Sequence, residues 1–406
     1  MNRDFNRLLA AATISNFGSM LTALALPLAA IELLDATPAQ IATMNAAAIL
    51  PGIALGLFAA QAVDRLRRRP VLVAADLVRA ALLLALPAAA FAGVLTMTHV
   101  VAFAFCRGLF DFVFDVAEHA LVPALVPSAE LVRANGRLQA GDSSAEAAGF
   151  AIGGWLVQWL TAPVALLVDA ATYLVSAILL ARIHTAEPPP EPAAPDGRRR
   201  VAELFAGVAE IARVPALRGI AATGMLAGSS GTVVGTVYML FVYRELGFSA
   251  GVIGVLAAAG AVASLSSALA ADRVPERLAG GPAMVAGLAL YALGPLVLSL
   301  APGPTLFGVA AIVAQQVVGD GGYVLYEVHQ RSLRQRITPG RLLGRVSGAL
   351  RLLNSAAMLA GTALGGWLGG SLGLRPALLA GACLSGFAAL SAVAVALLQN
   401  RQPRPA

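Results

Sequence analysis

The chain contains no lysine: all 28 of its basic residues are arginine, set against 22 acidic residues for a formal charge of +6. Arginine keeps its charge at any pH a cell meets, so this positive balance is permanent. Charged residues of every kind make up only 12% of the sequence, whereas hydrophobic ones make up 58%. That is too little polar surface to coat a water-soluble domain, and a mean hydropathy of +0.79 puts the chain in a lipid bilayer. Cysteine is equally scarce. Cys106 and Cys383 both fall within apolar runs and offer neither a metal-ligand spacing nor a disulfide framework. No GxxxxGKS/T phosphate loop occurs, nor does a nucleophile with its base, so no enzyme and no cofactor is expected. The arginines lie in short loops between apolar runs, which marks them as orientation signals and argues against nucleic acid as a partner.

What remains is hydrophobic length. With about 20 residues needed to cross a bilayer as a helix, twelve candidate spans can be drawn, near 8–31, 40–63, 71–93, 98–122, 138–160, 163–183, 217–243, 249–271, 280–300, 305–329, 344–370 and 374–398. The first is too long, and too poor in a small-residue cleavage site, for a removable signal peptide. Setting aside Arg79, Arg107 and Arg351 inside spans, only Arg244 and Arg375 fall in loops on one side. The asymmetry predicts that both termini face the cytoplasm of a plasma (inner) membrane protein.

Between spans 6 and 7, the run EPPPEPAAPD at 187–196 cannot form a regular helix, because proline removes donors and clashes with the preceding turn. The following residues, 198–213, place Val201, Leu204, Phe205, Val208 and Ile211 at helical spacing, which predicts an amphipathic helix on the cytoplasmic interface. The expected organisation is therefore a bundle over 1–183, a linker over 184–216 and a second bundle over 217–406.

The halves echo each other. Asp64-Arg65-Leu66-Arg67-Arg68-Arg69-Pro70, between spans 2 and 3, returns half a chain later as Asp272-Arg273. Gly149-Phe150-Ala151-Ile152-Gly153-Gly154-Trp155 in span 5 returns as Gly361-Thr362-Ala363-Leu364-Gly365-Gly366-Trp367 in span 11. Glu118 matches Glu327, and Asp111 matches Asp320. Two like-oriented halves around a midplane site are a plan of secondary transporters. The glycines, four apart, predict close helix packing.

On these residues the chain resembles the major facilitator superfamily over nearly its whole length. The loop at 64–70 looks like the superfamily's signature after span 2. Pro51, the DRLRRRPVLVAADLVRA run, Ala134-Asn135-Gly136-Arg137 and Asp169-Ala170-Ala171-Thr172-Tyr173 resemble the branch of enterobactin exporters and macrolide efflux proteins. Ala60 stands where the signature has glycine, and Phe150 where the antiporter motif has proline. The resemblance implies an all-α membrane fold of twelve helices in two six-helix bundles. It also implies a monomer that moves a small molecule by alternating access.

Charges inside a membrane cost a few kcal/mol each and need a partner or a role. Arg107, Asp111 and Asp115 in span 4 lie four apart on one stripe, where Arg107 can pair with Asp111. In the resembled fold that stripe lines the transport path with Asn16, Thr22, Tyr238, Asp320, Tyr323 and Tyr326. Arg107 occupies the place of an arginine associated with proton transfer. Asp64, Arg65, Arg69, Asp76, Arg79, Glu118, Asp272, Arg273 and Glu327 are assigned to a cytoplasmic gate of ion pairs. Asp142 and Glu146 form a second acidic pair on span 5, whereas Asp169 is read as a structural polar contact. His119 and His329 lack a third ligand, so no metal is expected. The expected function is proton-coupled export of a small amphiphilic molecule such as a siderophore or macrolide. The alternatives are a lipid or lysophospholipid translocator and a membrane receptor that transports nothing.

Overall fold

The computed structural model describes residues 3–64, 66–185, 187, 197–275 and 278–400, and every regular element among them is helical. In chain order these are α1 (Arg3–Leu34), α2 (Pro38–Asp64), α3 (Arg68–Phe91), α4 (Met97–Leu125), α5 (Leu131–Leu160), α6 (Ala162–Ala181) and α7 (Gly197–Arg213). Then follow α8 (Pro215–Met239), α9 (Ala250–Ala270), α10 (Gly281–Ser299), α11 (Leu306–Val313), α12 (Asp320–Ile337), α13 (Gly340–Ser371) and α14 (Leu374–Asn400). A π-helical turn, Leu240–Glu245, extends α8, and another, Ala314–Gly319, joins α11 to α12. Among the described residues seven helices are long and apolar enough to cross a membrane: α1, α3, α6, α8 with its extension, α9, α10 and α14. The charge-bearing α4 is not one of them.

Large apolar side chains point outward from these helices, among them Ile178, Leu269, Phe387 and Leu390. On a water-soluble protein they would be a liability; in a bilayer they face lipid of their own polarity.

The chain forms two compact units, Met1–Ala194 with Ser249–Ala258, and Pro195–Phe248 with Ala259–Ala406. Within the first, α1 packs against α5 and α6, and α3 against α4 and α6. Within the second, α8 takes the place of α1 and packs against α13 and α14, while α10 packs against α12 and α14. The glycine motifs sit at equivalent joints. A Cβ on Gly149 or Gly153 would meet Phe17, Met20 or Leu21 of α1; one on Gly361 or Gly365 would meet Ser229, Thr232, Val233 or Thr236 of α8. Only a hydrogen at those positions lets the backbones come this close, and close approach is what holds helices together in lipid. Hydroxyls reinforce the second joint. Ser229 donates to the Ala357 carbonyl and Thr232 to the Met358 carbonyl, each at 2.8 Å.

The amphipathic segment is helical, as its spacing predicts. It packs on α13, with Gly207 against the Arg345 backbone and Ile211 in the apolar core of the second unit, and it leaves Phe205 68% exposed.

Candidate functional site

α3 brings Asp76 and Arg79 to the middle of the first unit, two and three helical turns beyond its start at Arg68. Asp76 is wholly buried and Arg79 is 4% exposed. One Arg79 nitrogen, Nη2, donates to Asp76 Oδ1, and the other, Nη1, donates to Asp111 Oδ1 of α4 at 3.0 Å. The guanidinium lies over the rings of Phe114 and Tyr173, 4.2 and 4.4 Å from their centroids. Cation–π contacts of this kind add up to about 2 kcal/mol where water is excluded, so Arg79 is held by two carboxylates and two rings, while its buried Nε has no hydrogen-bond partner among the described residues.

Asp111 is shared. Its other oxygen, Oδ2, meets Arg107 Nε at 3.2 Å, the pair that the spacing on α4 predicts. Arg107 Nη2 also donates to the Ser19 carbonyl of α1 at 3.3 Å, and the Ser19 hydroxyl bonds the Tyr173 hydroxyl at 2.8 Å. Beneath this layer lies Asp169 of α6, wholly buried and hydrogen-bonded by Thr22 of α1 and by Thr172 at 3.0 Å. Four helices therefore converge on one polar core, and one carboxylate bridges its two arginines. Asp111, 38% exposed, is its open side.

The remaining sequence candidates divide among other places. Asp115, 56% exposed, pairs with His119 at 3.4 Å on the same helix. Glu118 lies within electrostatic reach of Asp142, His119 and Asp115, and Glu146 within reach of Asp142. Asn16 donates to the Asp142 carbonyl at 3.3 Å, which ties α1 to that acidic face. Arg79 and Asp76, grouped by sequence with the loop charges, instead share the polar core with Asp111 and Arg107.

At the cytoplasm-assigned end, Arg69 Nη2 donates to the Ala181 carbonyl. The Glu187 carboxylate accepts the backbone N–H groups of Arg68 and Arg69 at 2.6 and 2.9 Å. A carboxylate on the first free amides of a helix satisfies donors that have no partner within the helix and suits its dipole. Asp4 accepts from the backbone of His184 and Thr185, from the Thr185 hydroxyl and from Arg7. The start of the linker is thus fastened to α1 and α3, by two acids that sequence reading passed over. Arg65 and the side chains of Asp64 and Asp272 lie outside the described residues; Arg273 is exposed on the turn after α9. Glu327 pairs with Arg331 of its own helix at 2.7 Å.

In the second unit, the Tyr323 ring lies tilted between those of Tyr291 and Tyr326, at centroid distances of 5.1 and 5.8 Å. Asp320 directly follows the π-helical segment and acts electrostatically on Tyr238 and Tyr291. π-helical insertions frequently mark functional positions. Tyr291 and Tyr173 were not among the site candidates. Their signal was present in the sequence, as hydroxyl-bearing rings within apolar runs, but their partners lie on other helices.

The Major Facilitator Superfamily profile matches residues 8–361. The chain belongs to that superfamily. It is 25% identical over 396 residues to an uncharacterized MFS-type transporter, YfiS, of Bacillus subtilis (strain 168), an alignment spanning 93% of this chain and 89% of that one. Two solved structures share its fold at low identity. A bacterial homologue of the human lysosomal transporter Spinster, inward-facing and unoccupied, superposes with a TM-score of 0.76 at 16% identity, covering 99% of this chain and 98% of that one. The nucleoside transporter NupG gives 0.78 at 12%, covering 99% and 100%. The protein is thus a multi-pass membrane transporter of the superfamily.

Proposed function

We propose that this superfamily member is a proton-coupled exporter of a small amphiphilic molecule, with twelve spans in two six-helix halves, both termini cytoplasmic, working as a monomer in the plasma membrane. The observation that carries the coupling is the Asp111 bridge: a carboxylate 38% exposed holds two arginines, Arg79, which is buried, and Arg107, which is partly buried. Ionised, Asp111 locks α3 to α4 through Arg79 and holds Arg107; protonated, it can no longer hold both. A proton arriving there therefore changes which helices are tied together, which is what coupling requires. The gate assigned to the loops at 64–70 and 272–273, with Glu118 and Glu327, belongs to the same reading, as do the acidic pair Asp142 and Glu146 and the second-unit group of Asp320, Tyr238, Tyr323 and Tyr326. The aromatic rings and carboxylates of the two units suit compounds of mixed polarity.

Proteoliposomes loaded in turn with a siderophore, a macrolide and a lysophospholipid, with and without an imposed pH gradient, test it. For at least one of the first two, flux should follow the gradient, and Asp111→Asn should abolish the gradient-driven part. Flux of the lysophospholipid alone would favour lipid translocation. Flux of a substrate that ignores the gradient, or an Asp111→Asn protein with undiminished coupling, would overturn the proposal.

A further inference from the structure

The polar core of the first unit holds three acids and two arginines. Asp76 touches Arg79, and Asp111 touches both Arg79 and Arg107. Asp169 is different: among the described residues its carboxyl is met only by the hydroxyls of Thr22 and Thr172. A carboxylate that binds arginine must be ionised to keep its partner. A hydroxyl can donate or accept, so two hydroxyls serve a carboxyl equally well with or without its proton.

Other observations bear on the same residue. Asp169 is completely buried, and a carboxylate stranded in an apolar interior without a cation in contact is far more costly than its neutral form. α1 leaves it no slack, since a Cβ on Gly18 would run into both Asp169 and Thr172. The charged and titratable groups acting on it are Arg107 and Asp111 from α4 and Tyr173 from α6; the Asp76–Arg79 pair of α3 lies one step further, against Asp111 and Tyr173, and α1 contributes only Thr22 and the serine bonded to Tyr173. Of these, Arg107 is the cation whose charge acts most on Asp169, and it is held elsewhere by Asp111 and the Ser19 carbonyl. Arg79, clasped by two rings and two carboxylates, has no such freedom.

We propose that Asp169 carries a proton in this conformation and that Arg107 exchanges places with it, swinging from Asp111 to Asp169 when the proton leaves. The proton departs to water on the open side of Asp111, and Arg107 takes its place beside Asp169; the core's net charge falls by one, and the charge left uncompensated lies on Asp111, which keeps Arg79 and is 38% exposed. Asp169 thereby becomes a proton-holding group of the coupling cycle in place of a mere link between α1 and α6. The role in coupling rests on the proton-coupled reading above; the protonation does not.

Infrared spectroscopy of the purified, reconstituted protein without substrate tests this, through the deuterium-sensitive band of a buried neutral carboxyl at neutral pH. Asp169→Asn should remove that band. Asp111→Asn should also remove it although Asp169 is still there, because the freed Arg107 turns to Asp169, and the double variant Asp111→Asn with Arg107→Gln should bring it back. Should Asp169→Asn fail to fold, Thr22→Val decides: loss of one hydrogen bond to the carboxyl should shift the band to higher frequency. A band absent from the unaltered protein, surviving in Asp169→Asn, unmoved in Thr22→Val or surviving in Asp111→Asn would overturn the proposal. A pH gradient that drives no flux, with the band behaving as described, would instead sink the coupling and leave the protonation standing.

Discussion

At the scale of single residues, Asp76 and Asp111 show how much position decides. Both are aspartates bound to Arg79, yet one is wholly buried and the other 38% exposed. Removing the buried partner leaves Arg79 with Asp111 alone and empties a space that water does not reach, so the loss moves toward the roughly 3–5 kcal/mol seen where buried pairs have been broken. Removing Asp111 takes away two pairs, to Arg79 and Arg107, but on a side that is open, where solvent can stand in for the lost carboxylate, so the loss is smaller. Asp76→Ala should therefore lower the thermal unfolding temperature of the detergent-solubilised protein far more than Asp111→Ala. Equal losses would mean that Asp111 is as structural as Asp76. The pairing on α4 could be read from the sequence, because Arg107 and Asp111 are four apart on one helix. The bond from Arg79 to Asp111 could not. Its partners are 32 positions apart, and nothing in a linear pattern says which face of α3 meets which face of α4.

At the scale of elements, the joint between α5 and α6 is a single residue. Thr161 closes one helix and opens the next with φ 77° and ψ 157°, a region essentially reserved for glycine. A side chain held there stores about 1–3 kcal/mol of strain. Because Thr161 is exposed, its side chain gives little back. Thr161→Gly should raise the unfolding temperature, and a lowered one would show that the threonine contributes something the backbone geometry does not reveal. Helices themselves were the most legible part of the sequence, since a long apolar run between charged loops has few other solutions in a bilayer. The glycine faces of α5 and α13 were legible as packing surfaces for the same local reason. That they meet α1 and α8 was not, because spacing identifies a close contact but not its partner.

At the scale of the whole molecule, the internal repeat was legible from matched residues alone, and the pairings of α1 with α5 and α6 and of α8 with α13 and α14 give it physical form. The side of the membrane on which each loop lies rests on the arginines. Lipid-facing helices insert in either direction with nearly the same burial of apolar surface, so the choice falls to the loop charges, which favour the cytoplasmic side. The turn between α3 and α4, residues 92–96, carries no charge, whereas the segment entering α5 carries Arg133 and Arg137. Alkaline phosphatase fused after Gly93 should therefore be active, having crossed the membrane, and fused after Ser128 it should be inactive. A fluorescent protein at the carboxyl terminus should fold and fluoresce. The opposite pattern would invert the molecule. Asp111 and Arg107 would keep their geometry, but Glu187 and the basic loop it caps would face outward, and the gate assigned to that loop would have to be sought at the other end of the helices.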